Sequence, residues 1–187
     1  MMDHYLDIKL LPDPEFATAL LMNAIYSKLH RGLVKLGCDD IGVSFPGYDA
    51  KKRTLGDLVR LHGSAARLSE LMEVGWLTGM SDHTQVGRIA PVPEHSQQVK
   101  VRRVQAKSSV ERIRRRQMRR HNLSPEEVIA RIPDSVEERL TLPYLVLKSK
   151  STEQQFRLFV RQERTVDTET GVFNAYGLSG TATLPSF

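Results

Sequence analysis

The fold is set by the stretch from Tyr5 to Leu36, which reads YLDIKLLPDPEFATALLMNAIYSKLHRGLVKL. Its first six residues alternate between apolar and polar side chains, which predicts a half-buried β-strand. A helix follows, with Asp13 as the N-cap, Pro14 as the first helical residue and Gly37 as the stop. The apolar stripe of this helix consists of Leu21, Ile25, Leu29, Leu33 and Leu36.

The residues after this helix predict three more strands and a second helix. Strands are expected over residues 41–45, 58–62 and 85–90, where short apolar runs are bounded by turn-forming residues. A short helix is expected from Ser64, its N-cap, to Gly75. The order β-α-β-β-α-β is that of the ferredoxin-like unit, so residues 1–94 are predicted to form a ferredoxin-like domain.

The remainder of the chain, residues 95–187, is predicted to form a second domain of mixed α and β structure. The prolines of residues 91–96 mark a linker before it. Ser124 and Glu127 have the spacing of a capping box, which predicts the start of a short helix. The fold class is therefore α+β. Strand-like segments of this half are residues 99–105, 144–149, 155–161 and 172–176.

Length and composition narrow the possible classes of protein. A chain of 187 residues with 40% apolar content is long enough for a buried core. No apolar run reaches the length of a membrane span, and the N-terminus lacks the features of a signal peptide. Cys38 is the only cysteine, which excludes an internal disulfide and a multi-cysteine zinc site. We therefore expect a cytoplasmic protein with no membrane partner.

The positive charge is concentrated in one segment. Residues 98–123 contain ten Lys and Arg against one Glu, a net charge of +9. Residues 1–97 and 124–187 each carry a net charge of −2. Six arginines occupy the nine positions from 112 to 120. The chain is therefore slightly acidic outside a single strongly basic stretch.

This stretch predicts an arginine-rich helix over about residues 109–121. Ser109 is a suitable N-cap, and at 100° per residue five arginines fall within an arc of roughly 140°. Adjacent guanidinium groups repel one another, and a polyanion relieves that repulsion, as expected of a nucleic-acid contact. The alternative is an ion-paired or solvated face, for which only Glu111 is available locally. The five arginines are Arg112, Arg115, Arg116, Arg119 and Arg120.

The sequence has no metal-ligand spacing and no phosphate-loop motif, so no cofactor and no metal is expected. If the chain cuts RNA, the remaining route is attack by a ribose 2′-hydroxyl, which needs a general acid–base group. His30, on the edge of the first helix's apolar stripe, is a candidate because histidine titrates near neutrality. From this pattern alone, a partly buried structural histidine is the favoured interpretation. Ser149 and Tyr176 likewise read first as ordinary strand residues.

Motifs along nearly the whole chain are similar to one protein family. They are DHYLDI (3–8), KLH (28–30), IGVSFP (41–46), RVQAKS (103–108), RRR (114–116), MRRH (118–121), QFRLF (155–159) and YGLS (176–179). On these motifs the chain resembles the CRISPR RNA-processing endoribonuclease of the type I-F subtype. Because the motifs occur in order, the resemblance is far more specific than any one of them.

The resemblance implies a fold, a substrate and a reaction. The implied fold is an N-terminal ferredoxin-like domain followed by a divergent α+β domain that carries the arginine-rich helix. The implied substrate is precursor CRISPR RNA, cut without a metal at the 3′ base of the repeat hairpin. The products would end in a 2′,3′-cyclic phosphate and a 5′-hydroxyl. The enzyme would stay on its product as a subunit of the type I-F surveillance complex.

The family's catalytic residues match three positions of this sequence. Its catalytic histidine falls on His30, its catalytic serine on Ser149 and its active-site tyrosine on Tyr176. The chain departs from the family around the serine, which Lys148 and Lys150 flank. These lysines either contact phosphate near the cut or point outward.

The family's RNA-recognition residues also match. The pair that reads bases at the foot of the stem falls on Arg103 and Gln105, which suit guanine and adenine edges. At i and i+2 on a strand, both would point to one face. The aromatic residue that stacks near the cleaved nucleotide falls on Phe156, and the helix that enters the hairpin's major groove is the arginine run.

Two other functions fit the basic segment. One is a non-catalytic protein that binds an RNA hairpin by sequence and shape. The other is a DNA-binding protein that places the arginine-rich helix in a B-form major groove. Assay of cleavage separates the first from an enzyme, and competition between an RNA hairpin and duplex DNA tests the second.

Overall fold

The computed structural model describes residues 2–105, 110–132, 140–149 and 153–187. The chain forms two compact units, each with most of its close Cα–Cα approaches within itself. The larger unit comprises Met1–Val104 and Leu142–Phe187, and the smaller unit is Gln105–Thr141. The boundary at residues 94 and 95, between a ferredoxin-like half and an RNA-binding half, stays a prediction.

The first sheet of the larger unit has the ferredoxin-like strand order. Its neighbours run β2-β3-β1-β4, all pairs are antiparallel, and β5 pairs with the start of β1. Two helices, α1 and α2, complete the β-α-β-β-α-β order, so the predicted α+β class is confirmed. The bounds are β1 His4–Leu10, α1 Thr18–Leu36, β2 Gly42–Ser44, β3 Leu58–Gly63, α2 Ala65–Glu73, a 3₁₀ turn Ser81–His83, β4 Thr84–Val86 and β5 Ala90–Pro91. The predicted fourth strand is therefore split into two short pieces.

Helix α1 begins later than the sequence predicts. The Asp13 carboxylate accepts hydrogen bonds from the backbone N–H groups of Glu15 and Phe16, at 2.8 and 2.9 Å. Those bonds close a turn, and the helix starts only at Thr18, after an extended Ala17. Asp13 therefore caps a turn before the helix, and the prediction that Pro14 is the first helical residue is wrong.

The second sheet, also in the larger unit, has the antiparallel order β7-β8-β6-β9. The predicted strand over residues 172–176 is wrong because these residues form a loop. The fourth strand lies further on and contains Pro185, which an edge strand accommodates because it needs no N–H on its open side. The bounds are β6 Gln97–Val104, β7 Tyr144–Lys148, β8 Gln155–Thr165 and β9 Thr183–Ser186.

The two sheets share one apolar core. Tyr26 of α1, Phe45 after β2, Leu145 of β7 and Leu184 of β9 are all fully buried in the same cluster. Gln162 of β8 fastens the sheets together, because its side-chain amide both donates to and accepts from the backbone of Phe45, each at 2.9 Å. This core fixes α1 and the loop at residues 172–178 as parts of one rigid unit.

The described residues of the smaller unit form two helices, α3 (Val110–His121) and α4 (Pro125–Arg131). The predicted capping box is confirmed: the Ser124 hydroxyl accepts from the Glu127 N–H at 3.2 Å, and the Glu127 carboxylate accepts from the Ser124 N–H at 2.9 Å. The predicted cap at Ser109 lies outside the described residues. None of the helices in the described part of the chain is long and apolar enough to span a membrane.

Candidate active site and nucleic-acid interface

Helix α1 places His30 at the boundary between its buried and exposed faces. Leu29 and Leu33 are fully buried beside it, whereas the His30 side chain is half-buried. One turn earlier, the buried Tyr26 hydroxyl donates a hydrogen bond to the Tyr176 carbonyl at 2.6 Å. Burial raises the pKa of Tyr26, so this hydroxyl keeps its proton and remains a donor. The helix is therefore tied to the loop that faces His30.

The His30 ring is held by a hydrogen bond and by stacking. Its Nδ1 lies 2.7 Å from the Ala175 carbonyl oxygen, and its ring stacks on Tyr176 with centroids 4.2 Å apart and planes 11° apart. A carbonyl oxygen only accepts, so Nδ1 carries the hydrogen. In the neutral imidazole, Nε2 then has the free lone pair. We call His30, Ala175 and Tyr176 the His30 site.

The loop that carries Tyr176 is fixed by its own short-range bonds. The Asn174 side-chain oxygen accepts from the N–H groups of Tyr176 and Leu178, at 2.8 and 3.3 Å. Gly177 has a φ of 69°, and its carbonyl accepts from the Val43 N–H at 2.8 Å. A Cβ at Gly177 would lie 2.3 Å from a Val43 methyl carbon. Only glycine fits this position without strain.

Ser149 follows the last residue of β7 and lies against α1. Its backbone N–H donates to the Gln154 carbonyl at 2.9 Å. Its side chain lines a cavity of about 210 Å³ together with Ser27, Arg31, Lys148 and Glu153. Ser27 and Arg31 lie 60° and 100° around the helix from His30. The larger unit thus places Ser149 beside the part of α1 that carries His30, and brings His30 and Tyr176 into direct contact.

Two of the residues predicted to contact RNA, Arg103 and Phe156, belong to the second sheet. Arg103 is exposed near the end of β6, and its guanidinium carbon lies 5.7 Å from the centre of the Phe156 ring on β8. This distance is that of a cation–π contact. Strand β6 ends at Val104, so Gln105 follows the strand. That Arg103 and Gln105 face the same way stays a prediction.

Helix α3, which we call the arginine helix, presents its cationic arc to solvent. Arg114, outside the predicted arc, is half-buried and donates two hydrogen bonds to the Ile132 carbonyl, at 2.9 and 2.6 Å. It therefore joins α3 to the end of α4. The five arginines of the arc, Arg112, Arg115, Arg116, Arg119 and Arg120, are all exposed.

Sequence patterns alone missed the residues that orient His30. Ala175 acts through its backbone, which leaves no side-chain signal, and Tyr26 reads as a core residue. Asn174 and Gly177 are turn-forming types within a segment that reads as a strand. Their presence was the available signal for a loop. In the described part of the chain, no group of three or more His, Cys, Asp or Glu side chains is placed to hold a metal ion.

A histidine with a fixed tautomer and a helix of exposed arginines are the features of a nucleic-acid-binding protein with a candidate acid–base group. Comparison with known proteins gives the family. The family model described as CRISPR-associated protein (Cas_Csy4) matches residues 5–187. The chain belongs to this family, which confirms the family predicted from the motifs.

Two curated relatives cover the full chain. A protein of Pseudomonas aeruginosa (strain UCBPP-PA14) named CRISPR-associated endonuclease Cas6/Csy4 is 51% identical over 187 residues, which is 100% of both chains. A protein of Escherichia coli (strain UTI89 / UPEC) with the same name is 44% identical, again over 100% of both chains.

Proposed function

We propose that this protein is a metal-independent endoribonuclease that cuts precursor CRISPR RNA at the 3′ base of the repeat hairpin. The observation that carries the proposal is the hydrogen bond from His30 Nδ1 to the Ala175 carbonyl. It leaves Nε2 of the neutral ring as a proton acceptor on a fixed helix. Family membership and the endonuclease name of both relatives support the same activity.

The proposed reaction is a transesterification within the RNA. His30 Nε2 takes the proton of the 2′-hydroxyl, and the 2′-oxygen forms a bond to the adjacent phosphorus. The bond from phosphorus to the 5′-oxygen breaks, that oxygen takes up a proton from water, and the protonated His30 returns its proton to the solvent. The products are a 2′,3′-cyclic phosphate and a 5′-hydroxyl. A positioned acid–base group of this kind contributes about 10² to 10⁴ in rate.

Ser149 and Tyr176 have supporting roles in this proposal. The Ser149 hydroxyl orients the ribose whose 2′-oxygen attacks. Tyr176 positions the imidazole through the stacked contact at 4.2 Å. Proximity and alignment are what such a reaction needs most, because the nucleophile and the phosphate belong to the same nucleotide.

Recognition of the hairpin is assigned to two basic elements. The arginine helix contacts the stem mainly through phosphates, since the major groove of A-form RNA is too deep and narrow to read base by base. Arg103 and Gln105 read bases at the foot of the stem, and Phe156 stacks near the cleaved nucleotide. The Arg103 guanidinium, near the Phe156 ring, suits this arrangement.

The proposed enzyme keeps its product. It remains on the guide RNA as a subunit of the type I-F surveillance complex in the cytoplasm. The proposed contacts of the arginine helix are to phosphates of the stem, which cleavage at the foot of the stem leaves intact. The protein therefore stays bound to the stem after the cut. The family's CRISPR association supports this partner set.

The deciding experiment is cleavage of the CRISPR repeat encoded next to the gene. We expect cutting in EDTA, a 2′,3′-cyclic phosphate on the upstream product, and no cutting when the nucleotide before the scissile phosphate is 2′-deoxy. Inhibition by EDTA, or cutting of the deoxy substrate, would refute the mechanism. Tight binding without cutting would favour the non-catalytic hairpin-binding protein, and preference for duplex DNA would favour the DNA-binding alternative.

A further inference from the structure

Helix α1 carries a second set of cations beside the His30 site. Its 19 residues contain Lys28, Arg31 and Lys35 and no acidic residue. At 100° per residue, these three side chains lie within an arc of about 60° on the exposed side of the helix. The reaction described above requires none of them.

This cationic arc begins beside the His30 site. Measured around the helix axis from His30, Ser27 lies at about 60° and Arg31 at about 100°. Lys35 and Lys28 follow in the same direction, at about 140° and 160°. Arg31 lines the cavity that contains Ser149 and also lines a neighbouring cleft of about 230 Å³. The two depressions therefore share a wall.

The neighbouring cleft is built to present positive charge. It is lined by Lys28, Arg31 and Lys35 from α1 and by residues of the turn after α2, with no carboxylate among its lining residues. The Lys28 ammonium donates to the Thr78 carbonyl at 2.8 Å, which fixes its position. Arg31 and Lys35 are exposed, and neither has an ion-pair partner in the part of the chain that the structure describes. Glu153 lines the Ser149 cavity together with Arg31 and Lys148.

We infer that the Lys28, Arg31 and Lys35 arc is a track for the single-stranded RNA that continues 3′ of the cut phosphate. The inference rests on the proposed function. In the proposed substrate, the hairpin stem lies on the 5′ side of the cut. The single-stranded RNA on the 3′ side of the cut is therefore the segment that continues past the reacting groups. Its phosphates meet this arc first, because Arg31 adjoins the Ser149 cavity. Ser27 and Lys35 are about 12 Å apart along the helix axis, which accommodates about two phosphates.

The test measures binding without cleavage. A hairpin with a 2′-deoxy nucleotide at the cut is prepared without a flank, with a 3′ flank of about six nucleotides, and with a 5′ flank of the same length. For the unaltered protein, the 3′ flank should tighten Kd about tenfold at 50 mM salt. Two phosphate contacts to a single strand add about 1.4 to the salt slope, so this gain should shrink about sevenfold by 200 mM salt.

In the double variant Arg31→Gln, Lys35→Gln, the ratio of Kd without the 3′ flank to Kd with it should fall to about one. Lys51→Gln, Lys52→Gln is the matched control, since it removes two exposed cations from the loop between β2 and β3. The control should keep the full gain, and thermal unfolding checks that both variants fold. The inference is overturned if the Arg31 and Lys35 variant keeps the gain, if the control loses it, or if only the 5′ flank tightens binding.

Failure of the proposed function has a different signature. A protein that does not bind the flankless hairpin and does not cut an all-ribose hairpin with a 3′ flank would refute the proposed function, and this inference with it. A protein that cuts the all-ribose hairpin with its 3′ flank, but whose binding of the 2′-deoxy hairpin is not tightened by that flank, would refute the inference alone.

Discussion

His30 is fixed by a hydrogen bond and by ring stacking, whereas the five arginines in the cationic arc of the arginine helix are exposed to solvent. The His30 site belongs to a core that joins two sheets, and its loop is held by Asn174 and Gly177. The arginine helix is one of a pair, joined to its neighbour by Arg114 and by a few apolar side chains. Proton transfer needs fixed geometry, and phosphate binding needs mainly charge. The two regions therefore differ as their proposed tasks require.

The largest effect is expected from His30→Ala. Loss of the acid–base group should lower the single-turnover cleavage rate about 10² to 10⁴-fold. Hairpin affinity should change little, because the proposed binding groups lie elsewhere. Gel-based cleavage and filter binding measure the two quantities. His95→Asn is the control, since His95 is exposed and asparagine tolerates its positive φ of 60°. If His30→Ala cuts at the normal rate, the His30 site has no catalytic role.

The next effect tests whether the His30 site depends on a rigid loop. Gly177→Ala places a methyl group 2.3 Å from a Val43 side-chain carbon at a φ of 69°. We expect a loss of about 3 kcal/mol in the free energy of unfolding, from strain and overpacking. Cleavage should fall as much as 10²-fold in the folded fraction, because a displacement of about 1 Å at a reacting group has that cost.

Gly180→Ala is the control for this loop. No atom outside its chain neighbours lies within 4 Å of a Cβ built there, and its φ is not positive. Chemical denaturation and single-turnover cleavage should both be close to those of the unaltered protein. Equal effects of the two substitutions would show that the loop as a whole, and not the contact between Gly177 and Val43, controls the His30 site.

The arginine helix should respond in the opposite way. Arg115→Gln, Arg119→Gln removes two exposed charges one turn apart and should weaken hairpin binding about 30-fold at low salt, with a salt slope smaller by about 1.5 to 2. The free energy of unfolding should not fall, because repulsion between neighbouring guanidinium groups is relieved. Binding titrations at several salt concentrations test this, with Lys51→Gln, Lys52→Gln as the charge-matched control. An unchanged salt slope would remove the arginine helix from the RNA interface.

The same contrast explains what the sequence predicts well. The arginine helix and the capping box at Ser124 each depend on residues three or four positions apart in the sequence. Both helices could therefore be predicted from the sequence. The ferredoxin-like order was also predicted, because each strand and helix has its own period. Helix α1 starts late because the Asp13 side chain accepts the hydrogen bonds of a turn instead of capping the helix. Helix propensity does not predict which of these two arrangements forms.

The His30 site was harder to predict because its parts are far apart in the sequence. Nothing near His30 indicates that the Ala175 carbonyl will orient it, and the loop around Tyr176 was predicted as a strand. The three catalytic positions came from the resemblance to a family, and their roles stay proposals. The cationic arc of α1 was not predicted from the sequence, and its connection to the Ser149 cavity required the fold.

The smallest expected effect is a pH dependence of the free energy of unfolding that RNA binding by the arginine helix does not share. His62 of β3 is fully buried, its Nε2 lies 2.8 Å from the Ser44 hydroxyl, and burial, aided by the Arg60 charge, lowers the pKa of His62 to about 3. In the unfolded chain this pKa is about 6.5, so between these values the unfolded state binds a proton that the folded state does not. The contribution is therefore full above pH 6.5 and is lost as the pH falls, by about 2 kcal/mol between pH 7 and pH 5.

His62→Gln should remove this part of the pH dependence, whatever it does to stability at pH 7. The measurement is the free energy of unfolding at pH 7 and pH 5 for both proteins, and the difference between the two pH values is compared. Arginine side chains keep their charge over this range, so hairpin affinity through the arginine helix should not follow the loss of stability. Identical pH dependence in both proteins would mean that His62 is not the group that takes up the proton on unfolding.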